Sequence, residues 1–161
     1  MKKSRYIVPL IIIFFCASTV FSEEPYSIFK TDYVSIHYVN REDLDTFLSK
    51  VGNVSLAGGS EVVIIKARID RLVERVESIL DMYPEGFKVD IILTSGYSGG
   101  NIAFYSNNTR KITIFVERVT DGVFAHELAH AVMHAYFKTS PSRNVQEILC
   151  RYVDAYLWKD Y

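Results

Sequence analysis

The pentapeptide His126-Glu127-Leu128-Ala129-His130 carries the clearest chemistry in this sequence. Two histidines four positions apart leave one face of an α-helix one turn apart, so both imidazoles can reach a single Zn²⁺ at about 2.0–2.1 Å. Glu127 then lies beside the ion rather than on it, where a carboxylate can take a proton from water. The flanking residues supply the helix: Thr120 or Asp121 can cap it, and Phe124, Leu128, Ala131, Val132 and Ala135 form an apolar face. His126, His130 and His134 share the opposite side. His134 lies eight positions beyond His126, about 12 Å along the axis, too far to meet the same ion. It reads as a structural or substrate-side residue.

A catalytic zinc takes a third protein ligand and keeps one position open. After His130 the acidic residues are Glu147, Asp154 and Asp160. A last helix over 144–158 puts Val145, Ile148, Leu149, Tyr152, Val153, Tyr156 and Leu157 on an apolar stripe, with Glu147, Arg151, Asp154 and Trp158 opposite. Glu147 is therefore a candidate ligand facing a cleft. Asp154, two turns on, is a candidate to orient a ligand histidine, or the third ligand itself if Glu147 is not.

His126-Glu127-Leu128-Ala129-His130, followed by Glu147 and then Arg151-Tyr152-Val153-Asp154, resembles the gluzincin class of zinc metallopeptidases, in particular the compact peptidase MA-like domains. The resemblance covers mainly residues 122–154. It extends more weakly upstream, to a strand over Thr31–Tyr38, a long helix and a hairpin in that order. It implies a zincin-like fold, with His126, His130 and Glu147 holding one catalytic zinc and Glu127 activating water. A metzincin would carry Gly and a third His where this chain has Met133 and Tyr136, so that class does not fit. For the transition-state donor, the tyrosines Tyr105, Tyr136 and Tyr152 are the candidates.

The elements that must position these groups follow from periodicity. Residues 33–39 alternate as a half-buried strand; Leu44, Phe47, Leu48 and Val51 mark a short helix over 41–51. A longer helix runs over 61–82 after a break at Gly58-Gly59-Ser60, and Pro84 and Gly86 end it. Three β-like runs follow, over 87–94, 101–105 and 111–116, with a flexible loop at 96–100 and a turn at Asn107-Asn108. Helices over 119–137 and 144–158 close the chain. That order predicts an α+β domain, a small sheet with helices over one face. The run over 101–105, if it is the sheet edge nearest the zinc helix, could take an extended peptide by strand addition.

Composition restricts the partners. The 161 residues carry 18 Lys+Arg against 19 Asp+Glu, a net charge of −1, without the basic excess that nucleic-acid binding leaves. Lys2, Lys3 and Arg5 precede an apolar run over 6–17 that fades into small polar residues, the order of a secretory signal. The run is too short for a transmembrane helix. Cleavage after Ser22 leaves 23–161 as a single exported domain, periplasmic or extracellular, without a stable membrane span. Cys150 is then the one cysteine of the mature chain and reads as inert packing. The function expected is hydrolysis of a peptide or protein substrate by an exported zinc peptidase. The alternative is a secreted binding module that keeps zinc without catalysis.

Overall fold

Alternating apolar residues build the sheet first. In the computed structural model, which describes residues 26–52, 61–96 and 100–159, Val34 and Ile36, then Val89, Ile91 and Leu93, then Ile112 and Ile114 are buried. The residues between them are only half-buried, as period-2 strands with one covered face require. The strands are β1 (Ser27–Lys30), β2 (Val34–Tyr38), β3 (Val89–Thr94), β4 (Ala103–Ser106) and β5 (Lys111–Phe115), in the spatial order β1-β2-β3-β5-β4. The central strands β2, β3 and β5 are parallel, while β1 and β4 are antiparallel edges. Register puts Ile36 beside Ile91 and Ile91 beside Ile112, a continuous apolar row under the helices.

Among the described residues four helices complete the fold: α1 (Arg41–Gly52), α2 (Glu61–Leu80), α3 (Asp121–Tyr136) and α4 (Arg143–Tyr156). The architecture is mixed α+β. The expected strands and helices are all present within a few residues. The structure adds β1, whose inward Phe29 pairs with Ile36 and packs on the core. The secretory reading of residues 1–22 and the break at 58–60 lie outside the described residues, as does most of the 96–100 loop. Among the described residues no helix is long and apolar enough to cross a membrane.

The site depends on α3, which is capped and packed against five other elements. The Thr120 hydroxyl accepts a hydrogen bond from the Val123 N–H at 3.3 Å, so the residue before the helix is its cap and Asp121 is its first residue. Phe124, Leu128 and Val132 are fully buried, and the Phe124 ring meets Phe47 of α1 edge-on, with centroids 5.5 Å apart. Burying a side chain of that size contributes about 1.5–3 kcal/mol. This helix packs on α1, α2, α4, β4 and β5, so it has little freedom to rotate about its axis.

The structure corrects the orientation expected of α4. Its buried residues are Cys150 and Val153, with Leu157 buried at its C-cap, while Ile148 is 65% exposed and Val145 and Tyr152 face outward. The packed seam lies about one position further round than the apolar stripe suggested, and it includes Gln146, Glu147 and Cys150. A hydrogen bond from the Arg75 guanidinium of α2 to the Tyr156 carbonyl, 3.2 Å long, holds the far end of α4 in that rotation.

Candidate metal centre

On α3 the i, i+4 spacing brings the His126 and His130 rings to a centroid separation of 5.3 Å, nearly edge to face. Across the seam α4 presents Glu147. Its Oε2 lies 3.6 Å from His126 Nε2 and its Oε1 lies 3.8 Å from His130 Nε2. These distances are too long for hydrogen bonds. They are close to the spacing of ligands around a shared ion, since two atoms each about 2.0–2.1 Å from a tetrahedral centre stand about 3.3 Å apart.

The other nitrogen of each ring is tied back. His126 Nδ1 lies 3.0 Å from Asp154 Oδ2, and His130 Nδ1 lies 3.2 Å from Gln146 Oε1. Both partners are oxygens that accept, and Gln146 is held with that oxygen toward His130 because its Nε2 donates to the Pro141 carbonyl at 2.8 Å. Each ring therefore donates from Nδ1. In a neutral imidazole that leaves the Nε2 lone pair facing its neighbour and Glu147. Asp154, a candidate from the sequence, meets His126 at Nδ1, on the side of the ring away from Glu147. Gln146 was not anticipated, because no spacing rule marks an amide in the first turns of α4 as a partner of a histidine on another helix.

Cys150 lies one turn beyond Glu147. Its thiol, His126 and His130 offer ligand atoms that all fall within 4.8 Å of one another, so these three could hold a metal ion. The side chain is fully buried. Burial, with the carboxylates of Glu147, Glu127 and Asp154 nearby, raises the thiol's pKa well above its ordinary value. The expectation of packing is thus incomplete: Cys150 packs, and it packs within reach of the two histidines.

Glu127 faces the edge strand. Its Oε2 accepts the Tyr105 backbone N–H at 2.7 Å. Burial raises the carboxyl above its ordinary pKa; His130, the Tyr105 hydrogen bond and His126 oppose that rise, and Glu147 adds to it. The Tyr105 side chain, on the helix-covered face beside Ile112, reaches about two turns further along α3, where its hydroxyl lies 2.9 Å from His134 Nδ1. Two contacts from one residue thus clasp β4 to α3. His134 serves this clasp and is not part of the ligand cluster. Of the three candidate tyrosines, Tyr105 lines the site with its hydroxyl engaged by His134. Tyr136 packs on Phe137, and Tyr152 stacks on Tyr156 with ring centroids 4.3 Å apart.

The chain matches no protein-family model, no curated protein and no solved structure. What the centre can do is therefore read from its own atoms.

Two cavities open on the cluster and share Asn101, Ala103, His126 and Glu127. One, of about 440 Å³, extends toward Asp154, Leu157 and Trp158; the other, of about 370 Å³, extends toward Arg143, Gln146 and Glu147. The oriented histidines carry a first prediction. Asp154→Ala and Gln146→Ala should each weaken metal binding by about 10–100-fold, because each frees one imidazole to rotate and change tautomer. Competition against a calibrated chelator measures this; unchanged affinity in both variants would show that the two hydrogen bonds do not serve the metal.

Proposed function

We propose that this chain is an exported zinc-dependent peptidase in which His126, His130 and Glu147 hold the ion and Glu127 is the general base. The observation that carries this reading is the convergence of two Nε2 atoms and one carboxylate, with both Nδ1 atoms engaged by Asp154 and Gln146. Nitrogen and carboxylate donors of this kind suit zinc. The zincin-like likeness of the sequence points the same way. When bound, zinc polarises a carbonyl oxygen and makes water a better nucleophile.

The remaining steps belong to the chain's own groups. The Glu127 carboxylate, held by the Tyr105 N–H and open to both cavities, takes a proton from the attacking water and returns it to the departing amine. Strand β4 is an edge of the sheet, and although its Tyr105 N–H is taken by Glu127, an extended peptide can pair with the remaining outward main-chain groups and bring its carbonyl to the cluster. Tyr105 links the two functions, since the residue that positions the base also belongs to the strand that would receive substrate.

A second reading, a secreted module with structural zinc and no turnover, is favoured by one observation, the grouping of Cys150 with His126 and His130. A thiolate there beside Glu147 would give four protein ligands and no open position. Cobalt separates the two readings. The Co²⁺-loaded protein should lack a sulfur-to-cobalt charge-transfer band in the near ultraviolet and should take up about one metal per chain. A strong band, abolished in Cys150→Ser, would transfer the assignment to the closed site.

A further inference from the structure

The two cavities flanking the cluster differ in chemistry. On one side Ile102, Val123, Leu157 and Trp158 make an apolar wall. Trp158, the one tryptophan of the chain, borders this cavity and is 52% exposed overall, so a ligand that covers it gains apolar burial. On the other side Asn107, Arg143 and Gln146 make a polar wall. The Arg143 side chain is 90% exposed, and its Nε lies 3.8 Å from Glu147 Oε1. An ion pair so exposed and so long contributes little, and in the loaded site Glu147 is occupied by the metal. Arg143 thus projects a guanidinium over the polar cavity, where its fork fits a carboxylate with two parallel hydrogen bonds.

We infer that the cleft selects peptides carrying a large apolar side chain on the Trp158 side of the cluster and a carboxylate on the Arg143 side. The scissile bond between them rests on the peptidase reading above; the charge and apolar preference rests on the cavity walls. The carboxylate belongs either to an Asp or Glu side chain or to the peptide's own C-terminus.

The test uses zinc-loaded full-length protein and a set of octapeptides with Phe, or Ala in its place, at one position and Glu, Gln or Lys at each position beyond it. Each is made with a free and with an amidated C-terminus. Cleavage is followed by mass spectrometry, and binding to the zinc-loaded Glu127→Gln protein by calorimetry. Acidic peptides should bind about 10–100-fold more tightly than their lysine counterparts. In Arg143→Glu that order should reverse, with the change in KM rather than kcat, and Trp158→Ala should erase the preference for Phe. Dependence on amidation assigns the carboxylate to the C-terminus; indifference to it assigns the side chain. Cleavage without charge preference, or with a preference that Arg143→Glu leaves unchanged, overturns this inference and leaves the peptidase standing. Charge-selective binding without cleavage does the reverse. Neither binding nor cleavage overturns both.

Discussion

Glu127→Gln is expected to keep its zinc and to lose turnover by about 10²–10⁴-fold, the range for removing a general base. The substitution is close to isosteric. Its amide oxygen can still accept the Tyr105 N–H, so the clasp between β4 and α3 survives. What it cannot do is take a proton. Because Glu127 lies beside the ligand cluster rather than among its ligands, metal content by elemental mass spectrometry should match wild type. Equal turnover in the variant would remove Glu127 from the base role, and loss of zinc would move it into the ligand set. A secreted binding module would lose nothing by this change.

His130→Ala and Glu147→Ala should each abolish stoichiometric zinc, an effect well beyond the 10–100-fold expected from removing an outer partner. Each deletes one of three converging donors, and no water-filled gap restores an imidazole or a carboxylate bound to the protein. The loss should also appear as stability. A ligand that binds only the folded chain adds about 2.7 kcal/mol at 100 times its Kd, which for a chain of this size raises Tm by about 5–10 °C. Wild type should show that rise on zinc addition, and neither variant should. Cys150→Ser is the informative companion: full zinc in that variant leaves the two-histidine, one-glutamate site intact, whereas zinc loss would make the thiol a ligand.

Much of the fold was legible because its signals are local. Strand alternation over 33–39 and the apolar stripe of residues 61–82 correspond to β2 and α2, and Thr120 caps α3 as its residue type suggested. The strand β1 was not anticipated, since four residues that include Ser27 and Lys30 carry too little pattern to stand out. In the site, Asp154 was within reach of sequence reasoning because it shares a helix face with Glu147. Gln146 and Arg143 were not, because amides and arginines in a first helical turn are ordinary surface residues until a facing helix gives them a partner or a cavity.

Helix α4 shows why the pattern ran out. Val145, Ile148, Tyr152, Leu149, Val153 and Leu157 place apolar groups around much of its circumference, so periodicity alone offers more than one stripe to bury. The choice falls to packing: Cys150, Val153 and Leu157 are the positions that are buried, and the exposed stripe of Val145, Ile148 and Tyr152 is the consequence.

The sequence by itself determined that His126 and His130 share one face of a helix with Glu127 between them, because 3.6 residues per turn is a property of the backbone. Only the tertiary structure decided that Glu147, Asp154, Gln146 and Cys150 meet those histidines, and that Tyr105 clasps Glu127. Those contacts join residues from different elements. Their distances depend on how α4 is rotated against α3 and on which strand forms the sheet edge, both set by burial of apolar groups throughout the core.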